Sequence, residues 1–313
     1  MSEVLRLSNS EMAAYRRCKR KWWLGTYRRL ESKVPPAPGS ALSIGDEVHD
    51  ALAAYYDPER RADPIAFAET AFEKQAREQP ILEDAIRKER ELVIAMLSGY
   101  LEWLEESGAD ADLKIVGSET MVEVRLAEDI NLLSKLDAPV ERVSDGAKLA
   151  LEHKTTGALD QPLVIMKQDT QFLTEHLARF MHAQEAGASA EEAYGTCQGV
   201  LVNMLRKVKR TATAKPPFYG RQDVLHNVHE LRHHWRHVMA VAREIQATAA
   251  VLDTGISHHA VCPPNPTKNC SWDCPFFLVC VMADDGSDFE GALEALYQEH
   301  DPLERYAQAV ALA

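Results

Sequence analysis

The chain has 313 residues, with 35 Lys or Arg against 48 Asp or Glu, a formal charge of −13 and 46% hydrophobic residues. These values describe a globular protein rather than a fibrous or disordered one. They exclude a protein that coats nucleic acid through bulk positive charge, and no apolar run nears the ~20 residues needed to cross a bilayer. The length suits a sizeable core plus an appended subdomain. The start, MSEVLRLSNSEM, lacks a basic-then-apolar leader pattern, so a soluble, cytoplasmic chain is expected. Its six cysteines are expected to serve metal or reactive roles rather than a disulfide framework.

Residues 8–30 read as a helix, with the Ser8 or Ser10 hydroxyl placed to cap it. Between Tyr15 and Arg29 lie seven basic residues and no acidic one, interleaved with Trp22, Trp23 and Tyr27. Such a stretch either tracks a phosphate backbone while its rings stack on bases, or buries the rings and solvates the charges. Arg16, Arg17, Arg20 and Lys21 are candidate DNA contacts on the first reading. A Pro-rich loop over 32–40 precedes a helix over 41–56 that carries Gly45 and His49. Residues 64–107 keep a helical pattern. The texture then changes to three strands, over 115–125, 131–143 and 148–154, with Ser144-Asp145-Gly146 the clearest turn.

A helix over 170–185 and a strand over 198–208 follow, the latter containing NMLRK, whose Arg206 and Lys207 are a second candidate DNA patch. Residues 209–221 read as a basic loop. Residues 222–252 read as a long helix with His226, His229, His233 and His237 on one stripe. Residues 258–283 read as irregular and Cys-rich, and 289–311 as an acidic helix. The order predicts an α/β fold with a mixed central sheet flanked by helices, a helical N-terminal part and a Cys-rich C-terminal cap. The expected segments are 1–110, 111–252, 253–283 and 284–313.

The chemistry centres on Asp137, Glu152 and Lys154, the last two in LALEHKTTG. On a strand, residues two apart share a face, so Glu152 and Lys154 project together and a preceding strand brings Asp137 beside them. Paired carboxylates suit a hard divalent cation, which lowers the pKa of a bound water and offsets phosphate charge. Cys270, Cys274 and Cys280 form a C-x3-C-x5-C run, and Cys18 lies far upstream. Four thiolates hold either Zn²⁺ or a [4Fe–4S] cluster, and spacing alone leaves both open.

An ordered set joins these motifs: Ser10, Tyr15 and Cys18; Gly45 and His49; Asp137; Glu152-His153-Lys154; Gln171; Asn203 to Lys207; and the three clustered cysteines. Together they resemble the PD-(D/E)XK nuclease superfamily, specifically its RecB type and the CRISPR-associated Cas-four exonucleases with their phage-encoded relatives. The resemblance implies a restriction-endonuclease-like core and a DNA exonuclease that acts on single-stranded or frayed ends in recombination or repair. It implies Mg²⁺ or Mn²⁺ on His49, Asp137, Glu152 and the backbone carbonyl of His153, with Lys154 acting on the attacking water and Gln171 assisting it. It implies a [4Fe–4S] cluster on Cys18, Cys270, Cys274 and Cys280. Three departures stand out: Leu136 precedes Asp137 where proline is common, Glu175 replaces the tyrosine of Q-x3-Y, and three residues rather than two separate Cys270 from Cys274. A non-catalytic DNA-end-binding adaptor of the same fold and a structural zinc protein are the alternative readings.

Overall fold

Residues 199–206 (GVLVNMLR) are almost wholly buried, as a strand covered on both faces must be. In the computed structural model, which describes residues 4–304 other than 212, together with 306, this strand lies inside a five-stranded mixed sheet. The strands of that sheet are β3 (Leu113–Ile115), β6 (Ala138–Arg142), β7 (Lys148–Thr156), β8 (Gly199–Arg206) and β9 (Tyr219–Leu225), in the order β3-β6-β7-β8-β9. Only β7 and β8 run parallel. They are joined, as a parallel pair requires, by a helical crossover containing α5 (Thr170–Glu185).

Alternation along β7 sends successive residues to opposite faces. Leu149 and Leu151 enter a cluster with Val48, Phe72, Leu97 and Tyr100. These come from α2 (Ala41–Tyr56), α3 (Pro64–Glu78) and α4 (Glu83–Ser107). Ala150 instead packs with Phe172 of α5, Val202 and Met204. The helices are capped as their sequences dictate. Ser40 accepts from the Ser43 N–H, Asp63 precedes Pro64 at the first helical position, and Asp169 accepts from the Gln171 N–H.

The chain divides into two compact units, one of Met1–Pro35, Met121–Ser134 and Arg232–Ala313, the other of Pro36–Thr120 and Lys135–Leu231. These units cut across the linear segments drawn from the sequence. The first contains β5 (Ile130–Leu136) up to Ser134, flanked by the parallel β1 (Leu5–Ser8) and by β4 (Thr120–Ala127). A second, two-stranded sheet pairs β2 (Leu30–Ser32) with β10 (Tyr297–Glu299). Here too are α1 (Asn9–Arg17), nearly all of α6 (Val228–Asp253) and α7 (Phe289–Leu296). The Tyr15 hydroxyl ties α1 to α6 through Thr248 Oγ1 at 2.8 Å.

Several expected elements are interrupted. The helix over 8–30 stops at Cys18, whose backbone is extended. It resumes for one turn over Lys19–Trp22, then a π-turn over Trp23–Tyr27, before β2. The pattern over 64–107 is two helices, because Pro80 lacks an N–H to continue α3. The strand over 131–143 breaks at Asp137, where the chain leaves β5 and starts β6. Part of the expected 209–221 loop belongs to β9, so the long helix begins at Val228 and His226 precedes it. The C-terminal helix ends at Leu296, and its expected stretch over 307–311 lies outside the described residues. No described helix is long and apolar enough to cross a membrane.

Helix α5 buries His176 beside His226, with ring centroids 5.8 Å apart. Burial, reinforced by His226, pushes the His176 imidazole down to about 4 from 6.5. In that interval the unfolded chain binds a proton that the folded chain does not, so stability is lost as pH falls. The loss totals about 3 kcal/mol when complete. The urea midpoint should therefore drop between about pH 6.5 and pH 4, and His176→Leu should flatten that slope. An unchanged slope in the variant would contradict the assignment.

Candidate metal centre

Strands β6 and β7 are antiparallel, with Pro139 facing Ala150 and Ala138 facing Leu151. One step further along the same register sets Asp137 against Glu152. Both are buried, at 5% and 3% exposure, and their carboxyl groups are hydrogen-bonded to each other. Burial and then the Glu152 charge hold the Asp137 carboxyl well above the carboxylate range. Burial also opposes ionisation of Glu152, but the bond to Asp137 and the charges of Lys154 and His49 outweigh it and leave Glu152 below its ordinary value. The pair thus titrates as a unit.

Lys154 lies two residues along β7 from Glu152 and points to the same face, with Nζ 3.4 Å from Glu152 Oε1. Gln171, in the first turn of α5, joins the two. Its Nε2 donates to Glu152 Oε1 at 3.0 Å and its Oε1 accepts from Lys154 Nζ at 2.8 Å. Nζ also sits 4.9 Å from the centroid of the Phe172 ring. The His153 side chain points the other way. Its ring stacks on Tyr56 with centroids 5.3 Å apart, and Nδ1 bonds Asn203 Nδ2 at 3.0 Å. Burial holds His153 well below its ordinary value, so the ring is neutral. The ligand role expected of His153 is assigned to its main-chain carbonyl rather than to this ring.

His49 reaches this region from α2. Its Nε2 is 3.5 Å from Glu119 Oε1, and Lys135 pairs with the same carboxylate. Burial depresses the His49 imidazole, but Asp50, Glu119 and Glu152 outweigh it and leave the group above its ordinary value. His49, Glu119 and Asp137 each offer one donor atom, all within 4.8 Å of one another. One imidazole with carboxylate oxygens fits Mg²⁺ or Mn²⁺. Sequence reading missed Glu119. It stands in the link before β4, with no motif around it, and only the topology carries it to His49. A cavity of about 320 Å³ opens beside the set, lined by Glu119, His153, Tyr56 and Arg60 among others.

In the other unit, Cys18, Cys270, Cys274 and Cys280 all line one cavity of about 130 Å³, with Leu24 and Phe276. Cys18 Sγ accepts from the Asn265 N–H at 3.3 Å, and Cys270 Sγ from the Thr267 N–H at 3.3 Å. The Thr267 contact draws the Cys270 thiol below its ordinary value. Among the described residues, His49, Glu119 and Asp137 are the one set of three such donors within 4.8 Å, so no three of these sulfurs approach that closely. The remaining two cysteines do not line that cavity. Cys197 donates to the Gly199 carbonyl at 3.2 Å, and Cys262 is fully buried.

The candidate DNA contacts separate. Arg20 is 2% exposed and donates to Asp284 at 2.6 Å and to the Cys280 carbonyl at 3.2 Å, which removes it from any nucleic-acid surface. Arg17 pairs with Asp273, and both Arg17 and Lys21 line the cysteine cavity. Arg16 is exposed, and Arg206 donates to the Lys215 carbonyl at 2.8 Å while Lys207 is partly exposed. Trp22 and Trp23 are core residues. Trp22 Nε1 donates to Glu11 at 3.0 Å, and Trp23 stacks on His258.

The family model of the PD-(D/E)XK nuclease superfamily matches residues 6–281. The chain belongs to that superfamily. Its mixed α/β architecture agrees with a PD-(D/E)XK fold, and membership implies a metal-dependent nuclease with DNA as substrate. Asp137, Glu152 and Lys154 stand in the order that the superfamily's name describes, with Leu136 in the proline position. A solved structure described as the crystal structure of SSO0001 is similar at 14% identity, covering 75% of this chain and 82% of its own, with a TM-score of 0.28. No curated protein matches the chain.

Glu119→Gln should weaken Mn²⁺ binding to this PD-(D/E)XK chain roughly tenfold, the loss typical of a group that ligates or orients a ligand. Calorimetric titration checks it, and unchanged affinity would remove Glu119 from the site.

Proposed function

We propose that the protein is a metal-dependent DNA exonuclease of the RecB and Cas-four type, with a structural [4Fe–4S] cluster. The observation that carries the catalytic part is the buried Asp137–Glu152 pair with Lys154 and Gln171 closed around it. His49, Asp137, Glu152 and the His153 carbonyl would hold Mg²⁺ or Mn²⁺, with Glu119 beside His49. The ion supplies an activated water and offsets phosphate charge. Lys154 would orient that water or meet the charge that develops on the phosphate. Gln171 holds the Lys154 ammonium and the Glu152 carboxylate in fixed relation. Action on single-stranded or frayed ends rests on the motif resemblance. A phage origin and a role in recombination or repair remain part of this proposal through the motif resemblance alone.

The cluster reading is supported by the four thiols around one cavity and by the motif resemblance. Cationic Arg17 and Lys21 beside the cavity balance thiolate charge.

Two outcomes test the reading. End-labelled single- and double-stranded DNA should lose label with Mg²⁺ or Mn²⁺ and not with EDTA. Glu152→Ala should lower the rate by about a hundred- to a thousandfold, the scale for a lost electrostatic group at the reacting phosphate. Retained cleavage in that variant would sink the active site, and no cleavage by cluster-loaded wild type would favour a DNA-end-binding adaptor. Separately, anaerobically purified protein should contain about four irons per chain, and Cys274→Ala should lose both iron and thermal stability. Zinc in place of iron would overturn the cluster.

A further inference from the structure

The superfamily motif reads Q-x3-Y where this chain has Gln171 followed by Glu175. Glu175 is buried at 4% exposure, in mid-α5, and an isolated buried carboxylate is costly. Its partner is Arg179, one turn on, whose guanidinium NH2 and Nε lie 3.0 and 3.2 Å from Glu175 Oε1. The same Oε1 accepts the main-chain N–H of Asp137 at 2.9 Å, and Arg179 NH2 donates to the Asp137 main-chain carbonyl. Asp137 sits between the end of β5 and the start of β6, so its peptide groups fall between the two strands. A single ion pair therefore captures both, satisfying buried groups that are expensive to leave unmade.

Spacing extends the pattern. Gln171, Glu175 and Arg179 recur every four residues and so form one stripe along α5. The first residue of the stripe grips Glu152 and Lys154, and the next two grip Asp137. A tyrosine at 175 offers one hydroxyl and no charge to hold Arg179.

We infer that Glu175 and Arg179 are positioning residues that clamp the Asp137 peptide and so aim its carboxylate at the divalent cation, in place of the motif tyrosine. The inference rests on the proposed metal site. Metal ligands need placement within about half an ångström, and the peptide of Asp137 is the lever that sets its side chain.

The test is Mn²⁺ affinity of the full chain by calorimetry, with thermal stability measured in parallel. Arg179→Lys keeps the charge but loses the planar fork, and should weaken Mn²⁺ binding about tenfold while melting near wild type. Replacing Glu175 by Leu together with Arg179 by Met removes both buried charges at once, so any loss of stability comes from the Asp137 peptide groups left unpaired rather than from an isolated charge. That double variant should lose Mn²⁺ affinity at least as strongly. In an Asp137→Asn background, Arg179→Lys should add no further loss, because it acts through Asp137. Folded Arg179→Lys or double variants that bind Mn²⁺ as wild type does would overturn the clamp. Wild type that binds no Mn²⁺ would overturn the metal site itself, a separate result.

Discussion

Two carboxylates buried side by side are the constraint on which the rest of the candidate site depends. The β6–β7 register sets Asp137 against Glu152 with no bulk water between them. Two negative charges in that position repel, and burial with this repulsion pushes the Asp137 carboxyl up while the bond to Asp137 and the Lys154 charge hold Glu152 down. Lys154 and His49 supply the opposite charge from two directions, one along the strand and one from α2. A divalent cation does the same with greater charge, which is why this arrangement belongs to metal chemistry more readily than to a structural ion pair.

The supporting structure has a consistent logic. Leu149 and Leu151 pack against α2, α3 and α4, while Ala150 packs toward α5, so β7 is fixed from both faces. A polar layer continues this support behind His153. Asn203 bonds the His153 ring, Arg221 Nε donates to Asn203 at 3.3 Å, and Arg221 NH2 bonds the Tyr56 and Tyr100 hydroxyls at 2.9 and 3.0 Å. Networks of this kind hold the β7 backbone next to the carboxylates, provided every member is satisfied. In the other unit, Cys18 and the cysteines of 270–280 meet across more than 250 residues of chain. A group that joined all four sulfurs would close a long loop, for which the entropy removed from the unfolded chain is large.

Much of this was legible in the sequence because it depends on short-range geometry. Glu152 and Lys154 share a face through the two-residue strand period, and the helix over 170–185 declared itself through the apolar spacing that buries Phe172 and Leu177. Asp137 was legible through its distance from Glu152, which matches a hairpin. Glu119 was not, because its partner His49 lies 70 residues away and no local pattern marks the pair. Glu175 read as a missing tyrosine, since only the fold shows that Arg179 and the Asp137 peptide complete it. Arg20 misled for the reason that composition misleads: a basic run looks like a surface, yet Asp284, far along the chain, buries this member of it. The break at Cys18 was hidden because an extended residue between two helical turns leaves the apolar pattern intact.

Anomalous diffraction at the manganese edge from crystals grown with Mn²⁺ tests the central claim most directly. The account predicts one strong peak among His49, Glu119, Asp137 and Glu152, close to the His153 carbonyl. A peak elsewhere, or no peak at a Mn²⁺ concentration that supports DNA cleavage, would contradict it.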